Sequence, residues 1–329
     1  MPKIQKSSIT ILLASFNGAE FISEQLNSLI KQSLLPSRVV IRDDGSYDET
    51  VLIAKQFVNM VSFPIEIINN YSNHRGHLYN FSALCEYALS LESEYFCFSD
   101  RDDIWHKDKV RLLLERMSCL EKKYGENTPI LIHSDLKVVD SSLTEIESSF
   151  VKFQGLPNPE VHDFPEFLYQ NVVTGCACMF NKALLKIATP IPKSALVHDW
   201  WFALCAQYYG VVDYIDEPLV HYRQHDDNAI GATAAVEQRN FFKFNIYKTL
   251  MKFPFHLSQA IEQANVLLKI ESKRGGAAKQ SQAVVKEFSS LKQLNIFRRI
   301  GFVNKCFKGK RSPIELFYLY MVFSIVKWL

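Results

Sequence analysis

The chain of 329 residues predicts an α/β fold: parallel strands covered on both faces by helices, with a helical extension behind them. Three observations carry this expectation. Short apolar runs alternate with helix-period segments as far as residue 127. The runs lack polar alternation, as in strands buried on both faces. Acidic residues gather just past the ends of those runs, where open α/β sheets bind ligands.

Ile9–Ala14 reads as the first strand. Lys3 and Lys6 precede it, but it ends at Ser15-Phe16-Asn17-Gly18 with no cleavage-like site, so a signal peptide is not expected. Phe21, Ile22, Leu26, Leu29 and Ile30 then recur with the spacing of one helix face. Val39–Ile41 is a second strand that ends at Arg42-Asp43-Asp44-Gly45-Ser46, and Asp48 is placed to cap a helix through about Val58. A third strand spans Ile65–Ile68. Phe81, Leu84, Cys85, Ala88 and Leu89 mark the next helix, Tyr95–Ser99 the fourth strand, and Val110, Leu113, Leu114 and Met117 the helix after it. A less regular half begins at Ile130. It holds an acid-tipped strand at His133-Ser134-Asp135, a loop rich in Pro, Gly and Asn around 154–165, a helix from Asp199 to about Tyr209 and a strand at 211–214. Two units are expected, 1–235 (divided at 127/128) and a helical, basic 236–329.

An apolar content of 48% excludes a disordered chain. The net charge of +2 hides an asymmetry: residues 1–235 carry 20 Lys+Arg against 30 Asp+Glu, residues 236–329 carry 17 against 5. A basic tail on an acidic body is drawn to anionic lipid or nucleic acid. The tail has helical apolar patterns and no recognition motif, so no nucleic-acid partner is expected. Residues 314–329 are apolar apart from Glu315 and Lys327, yet shorter than the roughly 20 residues a membrane span needs. They read either as a tail helix packed on the protein body or as a helix lying on a membrane surface, and the adjacent basic cluster favours the membrane. The seven cysteines fit no zinc spacing. Cys85, Cys97, Cys119 and Cys205 lie in apolar patterns and read as buried free thiols, which suits a reducing compartment.

The stretch Ser99-Asp100-Arg101-Asp102-Asp103-Ile104-Trp105 is the richest in chemistry. On extended chain Asp100 and Asp102 face the same way. Like charges that close call for a cation, and carboxylate oxygens favour Mg²⁺ or Mn²⁺. The Asp43-Asp44-Gly45-Ser46 turn offers a carboxylate to a base or ribose. No Walker loop and no G-x-G-x-x-G is present, so phosphates fall to metal and side chains.

Ala14-Ser15-Phe16-Asn17, Asp43–Ser46 and Ser99–Trp105, in that order and spacing, resemble glycosyltransferase family 2. Asn171-Val172-Val173-Thr174-Gly175, Val197-His198-Asp199-Trp200-Trp201 and His221-Tyr222-Arg223-Gln224-His225-Asp226-Asp227-Asn228 resemble its bacterial rhamnosyltransferase branch. The resemblance covers roughly residues 7–235. It implies a GT-A, Rossmann-like fold, a nucleotide-sugar donor, a divalent metal and inversion at the anomeric carbon. By the same resemblance Asp44 contacts the nucleotide base, with Ser15 and Asn17 near it. Asp100 and Asp102 fall on the metal and diphosphate motif, Arg101 stands where Gln is more usual, and Asp199 falls on the catalytic base.

His221, Arg223 and His225 alternate and would share a strand face. Arg223 and His225 are expected at the diphosphate, with His225 also a candidate metal ligand. His74, Arg75 and Asn80 lie within reach of a nucleotide. Trp200 and Trp201 read either as an acceptor-sugar platform or as buried helix aromatics. His198 reads as facing solvent rather than steadying Asp199. The implied reaction moves L-rhamnose from dTDP-L-rhamnose to a polyprenyl-diphosphate-linked oligosaccharide at the cytoplasmic membrane face, with a UDP-hexose donor as the alternative. A sugar nucleotidyltransferase would want a Gly-rich, Arg-containing loop after the first strand, where this chain has Ser15–Glu20. A non-enzymatic nucleotide-sugar scaffold is disfavoured by the intact Asp44, Asp100, Asp102 and Asp199.

Overall fold

The structure, a computed structural model, describes residues 8–70, 76–225 and 246–325. Strands β1 (Ile9–Ser15), β2 (Arg38–Asp43), β3 (Ile65–Asn69) and β4 (Tyr95–Ser99) run parallel in the order β3-β2-β1-β4. Helices α1 (Ile22–Ile30), α2 (Thr50–Phe57) and α3 (His77–Ala88) connect them. After β4 come β5 (Ile104–Trp105), α4 (Lys109–Tyr124), β6 (Ile130–Val139), β7 (Glu145–Glu147) and the short helices α5 (Phe150–Gln154) and α6 (Phe164–Phe167). Then follow β8 (Cys178–Asn181), α7 (Lys182–Ala188), α8 (His198–Tyr209) and β9 (Val211–Arg223). The sheet continues past β4 as β8-β6-β9-β5, with β7 on β6. There β8 is antiparallel to both neighbours, whereas β6 and β9 are parallel.

The sheet is covered on both faces, and its strands sort their residues by parity. Ile9, Ile11, Leu13, Val39, Ile41 and Cys97 pack with α1, α2 and α4. Leu12, Ala14, Val40, Phe96 and Phe98 pack on the opposite face, with α3, α7 and α8. Each face thereby joins a separate core, so every position of β1 is buried.

Several expectations are corrected. Asp48 lies two residues before α2, where it accepts the Thr50 amide and reaches across to the Ala19 amide. The strand expected at 211–214 runs on to Arg223, because β6 pairs with it along most of its length. Asp135 is therefore mid-strand, buried, and accepts the amides of Leu136 and Val151. All seven cysteines are free, and Cys119 lies on the exposed side of α4 rather than in the core.

The C-terminal segment is the largest departure. Helices α9 (Ile246–Arg274), α10 (Lys279–Ser289), α11 (Ile296–Phe307) and α12 (Pro313–Ile325) pack on the same face as α3, α7 and α8. Leu319, Val322 and Phe323 of α12 are buried in that core with Phe302 and Phe307. Arg311 pairs with Glu166 at 2.6 Å and Lys310 with Asp163, so part of the basic cluster faces acids of the body. One side of the segment expected to lie on a membrane is therefore core, through Leu319, Val322 and Phe323, whereas Phe317 and Met321 stay exposed. No helix among the described residues is long and apolar enough to cross a membrane.

Candidate active site

The site is built where β1, β2 and β4 leave the sheet. Asn17 follows β1 with φ 47°, a left-handed conformation that Asn tolerates. Its amide donates to Ser46 Oγ (2.8 Å) and its Oδ1 accepts from the Tyr47 amide (3.2 Å). Asp43 folds the β2 turn by accepting the amides of Gly45 and Ser46. The two loops are thus latched together. Ser15 is buried, and its Oγ has no hydrogen-bond partner among the described residues.

Asp44 is buried beside them. Its Oδ1 accepts from Asn70 Nδ2 (2.7 Å) and Arg42 Nη1 (3.3 Å), its Oδ2 from the Gly76 amide (2.6 Å). It ties the end of β3 to the start of α3 at the cleft rim. A carboxylate offers about four acceptor directions, so capacity for a further donor remains. Asn80, expected near a nucleotide, instead accepts from Arg42 (2.8 Å) and donates to the Ser15 carbonyl. Arg75 and His74 lie outside the described residues.

Past β4 the acids diverge. Asp100 is half-buried, and its carboxyl is held well above the usual range by burial first, then by Asp103 and Asp102. Asp103 is fully buried and pushed up to about 7 by desolvation and by Asp102. Asp100, Asp103 and Cys176 bring one donor atom each to within 4.8 Å of one another. Asp102 is not one of that trio but lies within electrostatic reach of both its acids. Its Oδ2 lies 2.9 Å from His225 Nε2 and 3.7 Å from Arg101 Nη1. Arg101 lies across the β1 loop, and only a glycine leaves room there: a Cβ on Gly18 would meet its Cδ at 2.5 Å. The expected metal set of Asp100, Asp102 and His225 thus falls into two neighbouring groups. Asp102 and His225 adjoin as a pair, while Asp100 gathers instead with Asp103 and Cys176, a grouping invisible to a search for alternating side chains.

Arg223 is corrected most clearly. The expectation placed it on the diphosphate. Its buried guanidinium instead lies over the Phe21 ring (4.4 Å) and donates to the Asp102 carbonyl (2.9 Å), the Ser141 carbonyl and Glu24. Its amide reaches Asp103 Oδ1 at 3.3 Å. With all three guanidinium nitrogens engaged, its work is to lock the end of β9 to the acid stretch. His225 packs on the other neighbour of that lock, 4.8 Å from Phe21. His221 does not join them: the charged groups around it are Lys137, His106 and Glu145.

Asp199 stands in the first turn of α8. Its Oδ1 accepts from Asn171 Nδ2 (3.1 Å) and its Oδ2 from the Gly175 amide (2.9 Å). Burial raises its carboxyl to about 6, and these donors hold it from rising further. It is close enough to Asp100 to raise that group too. His198 neither faces solvent nor bonds Asp199. Its ring is buried, stacked on Phe81 at 3.7 Å, and burial holds it neutral. Of the two readings of Trp200 and Trp201, the structure bears out buried helix aromatics: both are buried, and their Nε1 atoms donate to the Phe167 and Ala188 carbonyls (2.7 Å each).

A mixed sheet whose parallel half ends in a buried acid cluster, faced by a carboxylate on a helix start, defines the class of the GT-A-like glycosyltransferases. Comparison with known proteins agrees. Residues 10–124 match Glycosyl transferase family 2. A dTDP-rhamnosyl transferase, RfbG of Shigella flexneri, is 29% identical over 243 residues, covering 69% of this chain and 76% of that one. Among solved structures, TarS 1–349 of S. aureus in complex with UDP shares the fold with a TM-score of 0.51 at 17% identity, covering 98% of this chain and 90% of that one. The mannosyltransferase PcManGT of Pyrobaculum calidifontis, in complex with GDP-Man and Mn²⁺, shares it with a TM-score of 0.53 at 14% identity, covering 99% and 85%. Residues 10–124 are a Glycosyl transferase family 2 domain, and the chain is a glycosyltransferase.

Proposed function

We propose that this enzyme transfers L-rhamnose from dTDP-L-rhamnose, with inversion, onto a hydroxyl of a lipid-linked oligosaccharide. The observation that carries the reading is the position of Asp199, a carboxylate raised to about 6 and within electrostatic reach of Asp100. Asp199 takes the acceptor hydroxyl's proton as that oxygen bonds to the anomeric carbon and the bond to the diphosphate breaks, the leaving oxygen keeping the electron pair. One carboxylate suffices, because no sugar–enzyme bond has to form.

The acid stretch suits a divalent ion: Asp100 and Asp103 stand together with Cys176, Asp102 lies within electrostatic reach of both acids, and Asp103 Oδ2 lacks a hydrogen-bond partner among the described residues. Asp100 and Asp102 would hold Mg²⁺ or Mn²⁺, with His225 beside Asp102. The ion, when bound, neutralises charge on the departing diphosphate. Ser15, Asn17 and Asp44 form the wall against which the nucleotide is held. The rhamnosyl donor rests on the named activity of RfbG and on the motifs shared with that branch.

A mass-spectrometric donor screen tests the proposal. Purified protein with Mn²⁺ and a lipid-linked acceptor is offered dTDP-L-rhamnose, UDP-glucose, UDP-galactose and UDP-GlcNAc. A product formed with dTDP-L-rhamnose is expected. Product from a UDP-sugar alone replaces the donor, and the absence of product from dTDP-L-rhamnose overturns the rhamnosyl reading.

A lipid-linked acceptor calls for a membrane-facing surface, and the hairpin of α11 and α12 supports one. The helices are joined by Tyr320–Asn304 (2.6 Å) and Arg299–Ser324 (2.9 Å). Ile296, Phe297, Phe317 and Met321 remain exposed on them, Phe297 to 80%. Arg298 and Lys308 are exposed nearby, while Lys305 is paired with Glu287. Apolar residues beside unpaired cations fit an anionic headgroup layer. Truncating the tail would remove core residues, so point substitution is the cleaner test. Phe297→Ser with Phe317→Ser is expected to abolish co-flotation with phosphatidylglycerol vesicles. Equal flotation of parent and variant would remove this surface from the proposal.

A further inference from the structure

The short turn Gly175–Ala177 meets both Asp199 and the acid cluster. It opens into β8, the antiparallel neighbour of β4, so it sits beside the exit of the acid-bearing strand. On one side the Gly175 amide donates to Asp199 Oδ2 at 2.9 Å. On the other, the Cys176 thiol stands with Asp103 and Asp100, one donor atom of each within 4.8 Å of the others.

Two buried residues clamp this turn from outside. Lys109, fully buried at the start of α4, donates its ammonium to the Cys176 carbonyl and lies 3.1 Å from the Trp105 ring centroid. A buried lysine is costly, and here its charge is directed at one backbone oxygen. His198 lies against Gly175 so closely that a Cβ there would meet Nε2 at 2.5 Å and Cε1 at 3.0 Å. Neither ring nitrogen of His198 has a hydrogen-bond partner among the described residues. The ring is held by stacking on Phe81 and by edge contacts with Phe98 and His77 at 4.7 Å each. It acts as a wall of fixed thickness between α3 and the turn.

We propose that the Gly175–Ala177 turn, seated between Lys109 and His198, is the element that fixes the distance between Asp199 and the acid cluster, so that Gly175, Lys109 and His198 are positioning residues for transfer. This rests on the reading of Asp199 as the base. An added methyl at Gly175 must push the turn off the His198 ring, carrying the amide away from Asp199 and the Cys176 thiol away from Asp103. Misplacement of a reacting group by about 1 Å costs on the order of 100-fold in rate.

The test uses the full-length enzyme with the donor that the screen selects. Gly175→Ala is expected to lower kcat by on the order of 100-fold, with donor KM and dTDP or UDP affinity near the parent values. Gly175→Ala combined with His198→Val, which removes the far end of the ring, is expected to recover much of that loss. Lys109→Met provides a second route to the same defect, again in kcat rather than KM. Thermal melting and nucleotide titration establish that each variant is folded. A folded Gly175→Ala enzyme with parental kcat, or a double variant no better than the single one, would overturn the proposal. Parental turnover by Asp199→Asn would instead overturn the base assignment.

Discussion

Asp199→Asn is expected to lower kcat by about 10²- to 10⁴-fold, the usual worth of a positioned general base. The affinity for dTDP or UDP should stay near that of the parent, because the residues proposed to face the nucleotide lie on β1 and β2, away from α8. The substitution has a local cost. The Gly175 amide and Asn171 both donate to Asp199, and the new amide nitrogen must face one of those donors. A mismatch of that kind costs about 1–3 kcal/mol, so thermal stability is measured beside rate. In the parent, kcat should climb as pH rises through about 6, where the carboxyl loses its proton. The variant's residual rate should lack that limb. The linkage to stability has the opposite sense. The folded carboxyl is raised from 3.8, so its contribution to stability is full below 3.8 and is lost as pH rises through about 6. Parental turnover in the variant would remove Asp199 from the base role.

Removing the Asp102 carboxylate should produce the second large effect. In Asp102→Ala, Mn²⁺-dependent nucleotide affinity measured by calorimetry is expected to fall by about 10- to 100-fold, the range seen when a metal ligand or its close partner is lost. The residue is half of the 2.9 Å pair with His225 and a partner of Arg101, so two cationic or neutral donors lose their common acceptor. Affinity without Mn²⁺ should change little. An unchanged Mn²⁺-dependent affinity would assign the acid stretch to structure and would leave phosphate binding to side chains alone. The half-buried Asp100 and buried Asp103 are less direct tests, because replacing either also disturbs Cys176 and the packing beneath it.

Much of the first half was legible before any coordinates. Strands β1 to β4 stand within a residue or two of their apolar runs, and in β1 and β4 burial on both faces leaves an unbroken hydrophobic signature. The second half was harder to read for a physical reason. β9 is held by pairing with β6 on both sides of its middle, where Asp216, Glu217 and Pro218 carry no strand pattern of their own. Arg223 shows the same limit at one residue. An arginine in a motif near acids suggests a ligand for phosphate, but Phe21, Glu24 and the Ser141 carbonyl lie far away in sequence, and together they enclose it. Lys109 escaped notice and His198 was read as facing solvent, because nothing local distinguishes a buried lysine or a wall-forming histidine from a solvated one.

By itself the sequence determined the alternation of strand and helix, the acids that end β2 and β4, and the glycosyltransferase character of residues 10–124. These depend on periodicity and on short motifs, which are properties of neighbouring residues. Only the tertiary structure decided that Arg223 is an internal lock, that Trp200 and Trp201 are core, and that the basic tail folds back onto the sheet's flank. Those outcomes turn on which distant surface reaches an apolar face or a charge first, and that is settled by packing in three dimensions rather than by order along the chain.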